Sequence, residues 1–219
     1  MSGEPLRKLG IMGGTFDPIH YGHLVTAEAV RTEFDLDRVL FVPSGRPPHK
    51  HPAQVTPAQH RYLMTVLATL TNPHFDVSRV DIDRPGETFT IDTLADLRAE
   101  YGPAVEFYFI TGADALAEIF SWKEAERLVQ ECVFVGATRP GFTLERLSPE
   151  VEDFIHRHAA SFRFMEVPAL AISSTDLRQR IARGRSIRYL TPAEVAFYIM
   201  KNGLYRKQPA ASGAAGGSA

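Results

Sequence analysis

Two histidines near the start of the chain, His20 and His23, stand within the string Gly13-Gly14-Thr15-Phe16-Asp17-Pro18-Ile19-His20-Tyr21-Gly22-His23. Their spacing puts both imidazoles on one side of a helix start. An apolar run, Leu9-Gly10-Ile11-Met12, leads into the string. After it, Leu24, Ala27, Val30 and Phe34 recur at helical spacing. The order is therefore strand, glycine-bearing turn, helix N-terminus. At such a point free backbone N–H groups and the positive end of a helix dipole converge on an anion. Gly13 and Gly14 permit the bend and a close ligand approach. Three chemistries fit the histidine pair: donors to a polyphosphate, a metal site completed by His49 and His51, or groups that satisfy backbone at a helix start. The glycine turn in the same string favours the polyphosphate. No cysteine or acidic cluster accompanies the pair, which argues against zinc. Asp17, ahead of Pro18, reads as a turn residue.

A second anion site is suggested by Ile172-Ser173-Ser174-Thr175-Asp176-Leu177-Arg178. Ser173, Ser174 and Thr175 offer hydroxyls and N–H groups at a helix start, and Arg178 follows one turn on. The plainer reading is a serine N-cap on a surface helix. Paired with the first string, triphosphate binding is favoured. Arg180, Arg183, Arg185 and Arg188 read as a solvated basic face. Lys50, in a proline-rich loop, is either a surface lysine or the partner of a mononucleotide phosphate. Trp122, the only tryptophan, is either core or a platform on which a pyridine ring stacks. Cys132, the only cysteine, lies in an apolar strand sequence and reads as a core residue rather than a nucleophile.

The elements that must position these groups alternate along the chain. Strand patterns are expected at 9–12, 39–42, 75–82, 105–110, 132–135 and 162–167. Helical patterns lie between them, near 24–34, 56–70, 90–100, 123–130, 148 onward, 172–183 and 191–203. Thr56-Pro57-Ala58-Gln59 and Thr191-Pro192-Ala193-Glu194 resemble capping boxes with Thr as N-cap. The alternation predicts an α/β, Rossmann-like, doubly wound parallel sheet with a small C-terminal helical subdomain at about 172–206. Residues 1–206 read as a single domain, and 207–219, made of Ala, Gly and Ser after Pro209, as a disordered tail. In such sheets ligands bind beyond the carboxyl ends of the strands, where residues 13–23 and Gly112-Ala113-Asp114 fall.

With 219 residues, 44% of them hydrophobic, the chain can build a core without metal or disulfide staples. A net charge of -2 argues against a general nucleic-acid binder. A single cysteine fits a reducing cytoplasm. No apolar run approaches the ~20 residues of a membrane span, and no secretory signal opens the chain. The oligomeric state is open, with room for a homo-oligomer.

Taken together, these strings resemble the nucleotidylyltransferase superfamily that carries H-x-G-H, and within it the bacterial nicotinate mononucleotide adenylyltransferases. The second string resembles that family's I-S-S-T-x-I-R, with Leu177 in place of Ile. Pro43-Ser44-Gly45-Arg46-Pro47-Pro48-His49-Lys50, Thr88-Phe89-Thr90-Ile91-Asp92-Thr93-Leu94, Gly112-Ala113-Asp114 and Trp122 are similar to family segments and point to the nicotinate enzyme. The resemblance implies adenylyl transfer from ATP to nicotinate mononucleotide, with pyrophosphate leaving. It implies that Gly13, Gly14, Thr15, Phe16, His20, His23, Gly112, Asp114, Ile172, Ser173, Ser174, Thr175 and Arg178 bind ATP, with Asp114 near its ribose. It implies that Ser44, Lys50, Thr90 and Trp122 bind the mononucleotide, Trp122 by stacking and Thr90 at the nicotinate. Catalysis would rest on His20, His23 and Arg178. Mg²⁺ would arrive with ATP rather than on a protein site. Sister enzymes acting on phosphopantetheine, a cytidylyl acceptor or nicotinamide mononucleotide, and a non-catalytic nucleotide sensor, are the competing readings.

Overall fold

The computed structural model describes residues 5–48, 51–138, 143, 147–168 and 170–206. Six strands form one parallel sheet: β1 (Lys8–Gly14), β2 (Arg38–Pro43), β3 (Phe75–Val77), β4 (Glu106–Gly112), β5 (Val133–Thr138) and β6 (Phe162–Glu166). Their order, β3-β2-β1-β4-β5-β6, is the doubly wound one anticipated from the alternation. The winding reverses between β1 and β4, so their carboxyl ends open onto a crevice.

Both faces of the sheet are buried, which is why its central strands are almost continuously apolar. Side chains alternate between the faces with a period of two. In β4, Phe107 and Phe109 join one buried cluster while Tyr108 and Ile110 join the other. The first cluster is covered by α4 (Thr90–Tyr101), α6 (Ala125–Glu131) and α7 (Pro149–Arg157), through residues such as Leu94, Leu128 and Phe154. The second is covered by α1 (Tyr21–Glu33), α2 (Ala58–Thr69), α8 (Ser174–Ala182) and α9 (Ala193–Lys201), through Val30, Met64, Leu177 and Val195. The C-terminal helices thus share a core with α1 and α2. Two shorter helices, α3 (Val80–Asp83) and α5 (Ala113–Leu116), sit beside the crevice. No helix among the described residues is long and apolar enough to cross a membrane. The tail expected at 207–219 lies outside the described residues.

Three local expectations are corrected. The strand read over 75–82 stops at Val77. Ser78 Oγ accepts the Val80 N–H at 3.1 Å, turning the chain into α3, and Thr93 and Arg84 draw Asp81 inward. Thr56 and Thr191 are not N-caps: α2 and α9 begin at Ala58 and Ala193 with prolines in the cap position. Both threonines serve the first loop instead. Thr56 N–H donates to Asp17 Oδ2 at 3.2 Å, and Thr191 Oγ1 donates to the Ile19 carbonyl at 2.8 Å. The helix read from Lys123 begins at Ala125, because Glu124 before it takes a left-handed backbone, φ 56.

One buried cation ties the loops at the crevice together. Arg61, on α2, is 1% exposed. Its Nε donates to the Thr56 carbonyl at 2.8 Å, Nη1 to the Thr15 carbonyl at 2.8 Å and Nη2 to the Gly45 carbonyl at 3.0 Å. Each carbonyl belongs to a different loop. Burial lowers the Arg61 pKa, while Asp17 and Tyr205 oppose that shift. A guanidinium keeps its charge in such a place and presents its donors as a rigid fork. Arg61→Met is expected to destabilise the fold by at least about 3 kcal/mol, since three buried carbonyls lose charged donors. Urea denaturation measures this, and Arg61→Lys should recover only a minor part because an ammonium cannot span three loops.

Candidate functional site

Two cavities open side by side at the carboxyl ends of β1 and β4. The first, about 610 Å³, is lined by Met12, Gly13, His20, His23, Gly112, Asp114, Thr138 and Ile172 among others. The second, about 360 Å³, is lined by Gly13, Gly14, Thr15, Ser44, Asp81, Thr88, Phe89, Thr90, Trp122 and Lys123 among others. Gly13 and Thr111 line both. The crevice at the switch point is therefore a pair of chambers with a shared edge.

The loop leaving β1 is over-determined. Phe16 takes a left-handed backbone, φ 49, with its side chain 2% exposed. A non-glycine residue holds that conformation at a cost only where its surroundings impose it. A Cβ on Gly14 would lie 2.9 Å from the Phe16 ring, so that position requires glycine. Asp17, expected as a simple turn residue, is instead a buried hub, 3% exposed. Its carboxylate accepts the Thr56 N–H at 3.2 Å and the Tyr205 hydroxyl at 2.6 Å. Its carbonyl accepts from Arg178 Nη1 at 2.7 Å. The Pro18 carbonyl accepts from Ser174 Oγ at 2.8 Å, and Tyr21 N–H donates to the Leu190 carbonyl at 3.1 Å.

His20 occupies the N-cap position of α1 and His23 the third helical position. Their rings stack with centroids 3.8 Å apart and an interplanar angle of 27°. The His20 backbone N–H donates to His23 Nδ1 at 3.2 Å. Acceptance at Nδ1 leaves Nε2 as the donor of a neutral His23 ring. Phe16 packs edge-on against the same ring at 5.1 Å. His20 lies over Gly22, where a Cβ would come within 2.9 Å of its Nδ1, and this is why glycine separates the two histidines. His20 Nδ1 is buried with no partner within the protein.

Burial lowers the His20 pKa to about 4. Burial, with the neighbouring His20, lowers that of His23 to about 3. At neutral pH both rings are uncharged. The first cavity has no lysine or arginine among its described lining residues. Attraction for an anion there comes from imidazole N–H groups and the amino-terminal end of α1 rather than from cationic side chains. Asp114 lines this cavity from the start of α5, where the cap position belongs to Gly112.

The second string forms the start of α8 as expected. Ser173 is its N-cap and accepts the Asp176 N–H at 3.1 Å. Thr175 Oγ1 accepts from Arg178 Nη2 at 3.1 Å. Ser173, Ser174, Thr175 and Arg178 thus all have partners within the protein. Of this string, Ile172 lines the first cavity.

In the second cavity, Ser44 is placed by its N–H to the Gly14 carbonyl at 2.9 Å, and its Oγ is buried without a partner. Helix α4 points its amino-terminal end here. Thr90 is its first residue rather than its cap, a position held by Phe89. Trp122 rests edge-on against Phe109 and Phe134 at 5.8 and 5.9 Å while also lining the cavity. Lys50 and His49 lie outside the described residues. Among the described residues no group of three or more His, Cys, Asp or Glu could hold a metal ion.

Several residues here gave no local signal. Asp81 is buried, which raises its pKa, and receives Thr93 Oγ1 at 2.6 Å and Arg84 Nη1 at 3.0 Å. Its carbonyl lies 2.2 Å from where a Cβ on Gly45 would stand, so the loop bearing Ser44 packs directly on it. Lys123 reaches Asp92 at 3.2 Å and lies 4.9 Å over the Phe89 ring. Thr111 could have been found from its place at the end of a central strand. Cys132 is buried, which pushes its thiol pKa well up, and it lines neither cavity.

Comparison with known proteins places these features in context. The cytidylyltransferase-like family matches residues 11–180. A protein of Moorella thermoacetica named "probable nicotinate-nucleotide adenylyltransferase" is 57% identical over 199 residues, covering 91% of this chain and 92% of that one. One of the same name from Salinispora arenicola is 56% identical, covering 90% of this chain and 100% of that one. A solved structure of Plasmodium falciparum nicotinic acid mononucleotide adenylyltransferase, complexed with NaAD, superposes with a TM-score of 0.74. It is 24% identical, covering 91% of this chain and 97% of that one.

The lowered histidine pKa values carry a sign for stability. A ring that is neutral when folded and takes up a proton when unfolded penalises the fold as pH falls. The loss begins near pH 6.5 and is complete only below about 4 for His20 and about 3 for His23. Stability should drop on the order of 2–3 kcal/mol per ring between pH 7 and pH 4. Denaturation curves at stepped pH test this. A His20→Asn, His23→Asn variant with the same pH slope as the parent would show that the rings are not the source.

Proposed function

The chain belongs to the cytidylyltransferase-like family and, within it, to the nicotinate-nucleotide adenylyltransferases, and on that premise we propose how its two cavities divide one reaction. The reaction is adenylyl transfer from ATP to nicotinate mononucleotide. It yields nicotinate adenine dinucleotide and pyrophosphate, a step of NAD biosynthesis. The observation that carries the division is the shared edge at Gly13 and Thr111. Two substrates bound in chambers that meet there bring an acceptor phosphate against a donor phosphate.

In this reading ATP occupies the first cavity, with its ribose near Asp114 and its α-phosphate at the start of α1. The mononucleotide occupies the second. Its pyridine ring lies on Trp122, its carboxylate is met near Thr90 by the amino-terminal end of α4, and its phosphate is met by Ser44 and Lys50. That phosphate is already ionised at neutral pH, so the substrate supplies the nucleophile. Its oxygen forms a bond to the α-phosphorus as the bond to the pyrophosphate oxygen breaks. The protein is left with alignment and charge stabilisation.

His23 donates from Nε2 to the transferring phosphoryl group, and His20, which lines the same cavity, donates a ring N–H to the phosphates beside it. Both act as neutral donors in the unliganded protein. A bound polyphosphate raises their pKa values and strengthens the bonds. Arg178 and the hydroxyls at the start of α8 complete the grip after exchanging protein partners for phosphate oxygens. Mg²⁺ enters with ATP as part of the substrate and leaves with pyrophosphate. A cytoplasmic location fits these charged substrates.

Pyrophosphate release across an acceptor panel tests the assignment. Nicotinate mononucleotide should be the preferred acceptor over nicotinamide mononucleotide and phosphopantetheine. ATP binding without pyrophosphate release from any acceptor would make the chain a nucleotide sensor instead. His23→Ala should fold and lose at least ~100-fold in turnover, the usual size of losing one transition-state donor. Trp122→Ala should chiefly raise KM for the mononucleotide; a rise confined to ATP would reverse the allocation of the cavities.

A further inference from the structure

The far end of the chain reaches back to the loop that carries the histidines. Tyr205 Oη donates to Asp17 Oδ1 at 2.6 Å, across 188 positions of sequence. The contact is built at a conformational cost, because Tyr205 at φ 63 takes the left-handed region to bring the phenol in, two residues after Gly203 makes the same turn freely at φ 64. The Tyr205 ring packs against the second buried cluster, beside Met64. Its acceptor is 3% exposed and shares its other oxygen with the Thr56 N–H.

Asp17 stands between the two parts of the loop that need holding. On one side is Phe16, in a strained left-handed conformation. On the other are Pro18 and Ile19, whose carbonyls are taken by Ser174 and Thr191, and then His20. A shift at Asp17 passes to His20, and from there to His23 through the backbone N–H that His23 Nδ1 accepts. We propose that Tyr205 is a positioning residue of the active site, holding residues 16–20 through the Asp17 carboxylate in the conformation that sets the two imidazoles. The proposal rests on the adenylyl-transfer reading for its effect on rate, but the placement of the imidazoles can be read without turnover.

The test is Tyr205→Phe, which removes one oxygen and keeps the ring. Turnover should fall roughly tenfold or more, the scale of a small misplacement of reacting groups. KM for the mononucleotide should stay within about twofold, because Tyr205 does not line the second cavity. Asp17→Asn should lower turnover too, and the double variant should be little worse than Asp17→Asn alone, as expected for residues acting through one contact. In nitrogen-resolved NMR, the imidazole signals of His20 and His23 should move in Tyr205→Phe while those of exposed His156 stay. Wild-type turnover with unmoved imidazole signals would overturn the proposal, even if the melting temperature fell. Failure of the unmodified protein to release pyrophosphate would count against the function reading, and the imidazole signals alone would then decide the clamp. Should Tyr205→Phe not fold, Asp17→Asn decides: lost turnover with moved signals supports the proposal, and wild-type behaviour overturns it.

Discussion

The fork of Arg61 is the contact on which the geometry of both cavities depends. Its three acceptors lie in the loop after β1, the loop after β2 and the approach to α2. Thr15 lines the second cavity, Gly45 follows Ser44, and Thr56 turns its N–H to Asp17. One planar group thus ties the histidine loop to the wall of the second cavity. A buried cation without a carboxylate in contact is costly, and three carbonyl dipoles offset that cost only in this arrangement. The buried charge of Arg61 serves as scaffolding, since three backbone carbonyls take its donors.

That choice shapes the electrostatics of the site. A pocket of fixed cations would hold triphosphate and pyrophosphate with equal force and release neither readily. On the proposed division, the lining of the first cavity offers neutral imidazoles, a helix end and backbone N–H groups, and Arg178 joins them only by leaving its protein partners. Such groups are oriented before the substrate arrives and need little rearrangement as charge moves. The stacked pair His20 and His23 also shows why two histidines can sit 3.8 Å apart: burial keeps both uncharged at neutral pH.

The parts of the site that were legible in the sequence are those dictated by backbone. Gly14 and Gly22 are required by contacts with Phe16 and His20 within the same string, so spacing alone exposed the turn and the helix start. Ser148 and Ser173 cap α7 and α8 as their neighbours suggested. The doubly wound parallel sheet followed from the alternation of elements, while its strand order came from the structure. What stayed hidden depends on distant partners. Thr56 and Thr191 carry every local mark of N-caps, yet Asp17 and the Ile19 carbonyl compete for them and win. Arg61 sits in an ordinary helical pattern that gives no sign of burial. Asp17 looked like punctuation before a proline and is a junction of four elements. The protonation of the histidines is likewise set by packing, which no spacing encodes.

The seam between the chambers has a consequence for the order of events. Gly13 and Thr111 line both cavities, so the two meet along that edge. On the proposed division, pyrophosphate has to vacate only one chamber. The dinucleotide is a single molecule lying across the seam, and it leaves only when both chambers let go together. Each half raises the effective concentration of the other at its own site. The feature that brings two phosphates together therefore also delays the departure of what they make, and it favours compounds that join both halves through a short linker over those that fill either chamber alone.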